Sequence, residues 1–251
     1  MKRYFFLLTL AVAAVANVMA QDDTAPKKKK GNPYPNFDFK NRANDHFLLQ
    51  LGYDGWSGYP EDIQFKGVNR HFNTYVMYDM PFKTNPQWSA AIGVGVGSSN
   101  IYFDKTQVDL AGKLNSSSVT FSDRSDTTNF KKYKLNTTYL EAPVELRWVA
   151  NPMNSNKSFK VALGVKVGTL VSAATKGKNL QSSSGSSLYG TKYIMKEKDK
   201  KFVNGTKFAG TLRVGYGNFA IHGQYSILPV FKTAVAPEIR PWSIGITLSG
   251  L

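Results

Sequence analysis

Residues 135–148 read LNTTYLEAPVELRW. Leu140, Ala142, Val144, Leu146 and Trp148 occupy alternate positions, and Glu141, Pro143, Glu145 and Arg147 fill the places between them. Successive residues of a strand point to opposite sides. One face of this strand therefore suits an apolar medium, while the other carries two carboxylates and a guanidinium. Such a division belongs where lipid lies on one side and other polar groups lie on the other.

The same alternation recurs in seven further segments. They are Phe47–Asp54, His71–Phe82, Trp88–Phe103, Phe159–Val171, Lys207–Tyr216, Phe219–Ile227 and Trp242–Leu251. The connections run 55–70, 83–87, 104–134, 149–158, 172–206, 217–218 and 228–241, so long and short alternate throughout. That is the layout of a membrane barrel with short periplasmic turns and longer external loops. Aromatic residues beside the short turns give a second sign. Phe82, Trp88, Trp148, Phe159, Tyr216 and Phe219 all flank short connections on the apolar side of their strands, where an interfacial girdle would sit. The predicted fold is all-β: an eight-stranded antiparallel transmembrane β-barrel. A soluble β-sandwich is the competing class.

The N-terminus agrees with export. Lys2 and Arg3 precede an apolar run from Tyr4 to Val15 and a small-x-small site at Val18-Met19-Ala20, which is the layout of a signal peptide over residues 1–20. The apolar run is too short to span a bilayer as a helix. Residues 21–45, with three prolines and the run Lys27–Lys30, read as a flexible basic periplasmic tail, and 46–251 as the barrel domain. The chain has no cysteine, so neither disulfides nor thiolate metal sites are available. It carries 32 Lys and Arg against 17 Asp and Glu, and loss of Lys2 and Arg3 with the leader lowers the net charge from +15 to +13. For an exported protein, the anionic partners implied by this charge are lipid phosphates rather than nucleic acid.

An eight-stranded barrel is just wide enough for side chains to fill it. The lumen-facing charges are Asp54, Asp79, Glu141 and Glu145 against Arg147, Lys160, Lys166 and Arg213. Four acids facing four bases predict an interior salt-bridge network, because unpaired burial would cost several kcal/mol for each ion. Gly93, Gly95, Gly97, Gly164, Gly168 and Gly215 leave room for the long side chains. The expected interior is a packed core rather than a pore.

The strand YLEAPVELRW resembles the YLEIP-type strand of the small outer-membrane β-barrel domain family that includes the PorT-like proteins. The likeness is carried by Tyr139, Leu140, Glu141, Pro143 and Leu146, and strand number and order extend it over residues 47–251. One departure is the terminal ITLSGL, where many barrels carry a final aromatic residue. The resemblance implies an eight-stranded barrel of the outer membrane of a Gram-negative bacterium. It also implies a structural role in the envelope or an accessory role in a larger outer-membrane complex, protein secretion included. It brings no catalytic or binding residue with it.

The three histidines are His46, His71 and His222, and none stands in a recognisable hydrolase arrangement. No HExxH, EF-hand or phosphate loop occurs, and no catalytic, cofactor or metal residue is predicted. Asp123 and Asp126 read as a solvated loop. The segment 172–206 holds Lys176, Lys178, Lys192, Lys196, Lys198, Lys200 and Lys201 against Glu197 and Asp199. Facing outward, it is a candidate lipopolysaccharide-contacting loop, and its QSSSGSS run predicts mobility. A narrow-pore transporter and a lipid-modifying barrel enzyme are the alternative functions.

Overall fold

The computed structural model describes residues 46–250. Eight long strands form its wall: β1 (Phe47–Ser57), β2 (Arg70–Pro81), β3 (Trp88–Phe103), β6 (Asn129–Val149), β7 (Phe159–Gln181), β9 (Thr206–Tyr216), β10 (Phe219–Ser226) and β11 (Arg240–Ser249). Each pairs antiparallel with its neighbours around the ring, and β1 pairs with β11, Leu48 opposite Ser249, to close the barrel. Three short strands lie in the long connections. β4 (Thr106–Asp109) pairs with β5 (Thr120–Asp123), and β8 (Ile194–Lys198) pairs with the far end of β7. The even strand count brings Phe47 and Ser249 to the same end as the short turns. Residues 1–45, read from the sequence as leader and tail, lie outside the described residues.

The alternation of the sequence becomes the two surfaces of the wall. On β6, Tyr139, Glu141, Pro143, Glu145 and Arg147 are buried inside, while Leu140, Ala142 and Leu146 are exposed outside. Leu51, Val76, Ile92, Val94, Leu163, Leu212, Ile221, Ile244 and Ile246 extend this exposed apolar band round the barrel. A continuous apolar belt of this size has no place in water. From Leu140 to Trp148 it rises about 20 Å, given ~3.3 Å per residue and a 40° tilt, close to the height of a barrel's lipid band. The turn end carries the aromatic girdle as cross-strand pairs. Trp88 stands opposite Trp148, and Tyr216 opposite both Phe159 and Phe219. At the other edge of the band, Tyr53 and Trp242 pack with ring centroids 5.8 Å apart.

Two strands run far beyond the predicted ends. β6 has 21 residues and β7 has 23, where a span needs only ~9–11. On β7 a bulge hides the continuation: Tyr139 pairs with Leu170 but Thr138 with Ser172, so Val171 is extra. An extra residue reverses the parity of everything beyond it. Alternation counted from Phe159 therefore stops at Val171, although the strand continues to Gln181. The start of the supposed 172–206 loop is thus wall. QSSSGSS forms the turn that follows β7, with Ser182 N–H donating to Ser186 O, and Gly185 N–H to Ser182 O, both at 2.9 Å.

The extended strands enclose a second core that the sequence did not announce. Trp56, Ile63, Phe103, Val108, Leu110, Phe130, Leu135, Phe202, Val203, Phe231 and Ile239 are buried together at the loop end. Trp56 packs edge-on against Phe65, Phe103 and Phe231. The Tyr133 hydroxyl donates to Val108 O at 3.1 Å and accepts from Val108 N–H at 3.2 Å, which ties β4 to the wall. The barrel has two tiers: a polar interior within the lipid band and an apolar, capped interior above it.

Candidate functional site

In the lower tier Glu141 is fully enclosed. Its Oε2 accepts from the Tyr75 hydroxyl at 2.5 Å, and its Oε1 from Lys207 Nζ at 2.8 Å. Lys166 Nζ lies 3.9 Å from Oε2, donates to Tyr75 Oη at 2.9 Å and to Gln224 Oε1 at 2.9 Å, and sits over the Tyr75 ring. The wall makes room for this carboxylate with glycine on both neighbouring strands, since Glu141 faces Gly95 on β3 and Gly168 on β7. A Cβ built at Gly97 would stand 2.8 Å from Glu141 Oε1 and 3.0 Å from Asn73 Oδ1. Gly97→Ala should therefore push the carboxylate off Lys207 and cost about 1–3 kcal/mol. Urea unfolding in lipid vesicles measures this, and an unchanged midpoint would mean that the side chain relocates freely.

From Lys166 a relay of neutral groups crosses the lumen. Gln50 Oε1 accepts from Lys166 Nζ and from Asn73 Nδ2, and Gln50 Nε2 donates to Thr247 Oγ1, each at 3.2 Å. Thr247 Oγ1 lies 3.0 Å from His222 Nδ1, His222 Nε2 lies 2.9 Å from His71 Nε2, and His71 Nδ1 lies 2.7 Å from Asp54 Oδ1. The Ser99 hydroxyl donates to the other oxygen of Asp54. With both rings neutral, one proton placement satisfies every contact. Thr247 donates to His222 Nδ1, His222 Nε2–H to His71 Nε2, and His71 Nδ1–H to Asp54. From Lys207 to Ser99, this chain takes a residue from every one of the eight wall strands.

Nearer the turn end, Glu145 Oε2 accepts from Arg147 Nε and from Arg213 Nη2, both at 2.8 Å. Arg147 Nη1 reaches Asp79 Oδ1 at 3.5 Å, and the Ser89 hydroxyl donates to the same oxygen at 2.7 Å. Lys160 is half-buried beside Asp79, Arg147 and Arg213 on a void of about 30 Å³. A second void of about 40 Å³ lies near Asp54 and His71. Each has room for only a few waters.

The eight predicted lumen charges thus fall into three clusters: Glu141 with Lys166; Glu145, Arg147, Arg213, Asp79 and Lys160; and Asp54 with His71. Asp54 meets a histidine instead of a Lys or Arg. Lys207, which the charge count left out although it shares the lumen face with Arg213, supplies the shortest ion pair to Glu141. Gln50, Asn73, Tyr75, Gln224 and Thr247 carry the relay and were missed altogether, because a count of charges passes over neutral groups.

His46 Nδ1 lies 3.1 Å from the Met77 carbonyl at the barrel's turn end. Among the described residues, no three His, Asp or Glu side chains are grouped to hold a metal ion. Asp123 caps its own turn by accepting from Ser125 N–H and hydroxyl at 2.8 and 2.6 Å. The seven lysines of 172–206 are all exposed. Lys176 and Lys178 stand on the extended part of β7, Lys196 and Lys198 on β8, and Lys192, Lys200 and Lys201 in the connections beside β8.

The chain is similar to Ail, the attachment invasion locus protein of Yersinia pestis. The crystal structure of Ail with the heparin analogue sucrose octasulfate shares 14% identity, with 81% of this chain and 96% of that one covered at a TM-score of 0.33. The backbone structure of Ail in a phospholipid bilayer nanodisc shares 15% identity, covering 82% and 99% at a TM-score of 0.26. No curated protein matches. Residues 29–232, which include seven of the eight wall strands, match the model of the family described as outer membrane protein beta-barrel domain. The chain belongs to that family of outer-membrane β-barrels.

Proposed function

We propose that this protein is a non-conducting, non-enzymatic outer-membrane barrel that presents a folded cap on the cell surface. On this reading it serves as a structural protein of the envelope or as an accessory subunit of a larger outer-membrane machine. The leader directs export. Short turns, Phe47 and Ser249 at the two ends of the wall's chain, and the tail with Lys27–Lys30 face the periplasm, and the long connections face outward. The resemblance of YLEAPVELRW to the PorT-like strand favours a secretion machine as the assembly, and a partner crosslinked through the tail would identify it.

The observation that carries the reading is the relay from Lys207 to Ser99. A side-chain chain drawing on all eight strands fills the section through which ions would have to pass. An ion entering would have to break bonds between groups already satisfied by one another. Reconstituted in planar bilayers, the full mature chain should give no reproducible single-channel step. A stable, well-defined conductance step would overturn the filled lumen and favour the narrow-pore alternative.

A further inference from the structure

The outer surface of the wall changes character abruptly on the β3–β6–β7 side. Registers of the paired strands give its layers in order. Ile92, Val144 and Val165 form one apolar row, and Val96, Leu140 and Thr169 form its upper margin. Ser98, Thr138 and Ser172 follow, then Asn100, Asn136 and Ala174. The next row is Tyr102, Lys134 and Lys176, continued by Lys196 on β8, and above it Lys132 faces Lys178. Six residues separate Leu140, at the upper margin of the band, from Lys134, about 15 Å of height at the strand rise and tilt used above. The lysines therefore stand above the lipid band, at the level of headgroups, and their long side chains can reach down toward its edge.

Tyr102, Lys134 and Lys176, with Lys132 and Lys178 above them, line a groove of about 630 Å³ whose cations also include Arg70 and Lys131. Lys66 also lines it but is paired with Asp104 at 2.7 Å, and none of the lining residues is acidic. Like charges directly opposite on neighbouring strands destabilise a sheet, yet Lys134 faces Lys176, Lys176 faces Lys196, and Lys132 faces Lys178. Part of the array is held in place. Lys134 Nζ donates to Asn100 Oδ1 at 2.7 Å, Arg70 Nη2 donates to Tyr102 Oη at 3.0 Å, and both cations lie over the Tyr102 ring. The opposite side of the barrel, at the same edge, carries Tyr53, Tyr225 and Trp242 instead. The charge is concentrated on one sector.

We infer that this groove binds the phosphorylated headgroup of an outer-leaflet glycolipid, held laterally against the wall. Height selects this occupant. A headgroup whose acyl chains lie along Val96 and Leu140 brings its phosphates to the level of Lys134 and Lys176, and each phosphate relieves a cross-strand repulsion. The inference rests on the outward orientation of the cap proposed above. Orientation has its own test: the sole cysteine of Ser183→Cys, at the tip of the β7–β8 hairpin, reacts with an impermeant maleimide in intact cells if the cap faces outward.

The binding test is native mass spectrometry of the full mature chain in detergent, titrated with diphosphorylated lipid A. A discrete one-to-one adduct is expected. The pair Lys134→Gln and Lys176→Gln should weaken it roughly 10- to 30-fold, whereas Lys83→Gln and Lys157→Gln, which remove equal charge at the turn end, should leave it unchanged. A gel shift between unboiled and boiled samples checks that each variant folds. Absence of the adduct, or equal weakening by both pairs, would overturn the site. Competition by inorganic pyrophosphate at concentrations similar to the lipid would overturn the lipid as occupant.

Discussion

Glu145→Ala lowers the stability of the folded barrel by about 3–5 kcal/mol, the usual loss when one member of a buried ion cluster is removed. The size follows from the geometry. One carboxylate oxygen accepts from two guanidinium groups, Arg147 and Arg213, each at 2.8 Å, and all three side chains are buried. Truncation leaves two like charges together, with Asp79, 3.5 Å from Arg147, as the neighbouring acid. Urea unfolding in lipid vesicles, followed by tryptophan fluorescence, reads the loss. Glu145→Gln keeps the shape and an acceptor and should cost clearly less. Replacing Glu145, Arg147 and Arg213 together by leucine should recover much of the stability, because no uncompensated charge remains. A loss below about 1 kcal/mol for the alanine variant would mean that water reaches the guanidinium groups, as at an exposed pair. The lumen would then be a wet path and the conductance prediction would fall with it.

The wall was legible because lipid imposes a strict rule. Every second residue from Leu140 to Trp148 must tolerate hydrocarbon, and the intervening residues must satisfy one another. That rule writes a period of two into the sequence and fixes which face Glu141, Glu145 and Arg147 occupy. It also puts aromatic residues beside the short turns. Above the membrane the rule lapses. Val108, Leu110, Phe202 and Phe231 are nearly fully buried, but they come as short apolar pairs, Val108 with Leu110, Phe202 with Val203 and Val230 with Phe231, from three separate connections that share no period. Only the folded cap brings them together. The bulge at Val171 hid the upper part of β7 by reversing parity, and on β6 the polar side turns outward above the membrane, so the cationic rows of the two strands read as unrelated loop charges. The lumen was half legible. Charges can be counted, whereas the partnership of Gln50, Thr247, His222 and His71 depends on which strands the barrel brings face to face.

The two tiers should come apart under a single substitution. Phe231 is buried at the centre of the cap, its ring edge-on to Trp56 and Phe121 at centroid distances of 6.0 and 5.8 Å. Its backbone bridges to Val203, and Lys232 N–H donates to Phe202 O at 2.8 Å. Phe231→Ala removes a large aromatic group from a closed core, which costs about 3–5 kcal/mol. That core lies above the lipid band, with only Tyr139 and Leu170 at its upper margin, so the cost should fall on opening of the cap and not on the wall, whose backbone bonds and lumen relay are untouched. Trypsin reads the difference. Cleavage within 192–201, where five lysines are exposed, should become roughly 100-fold faster or more if opening precedes cutting. The mobility shift between unboiled and boiled protein should persist. Loss of that shift would show that cap and wall unfold as one unit. Slow cleavage unchanged from the wild type would show that the cap is held by its extended strands and not by its aromatic core.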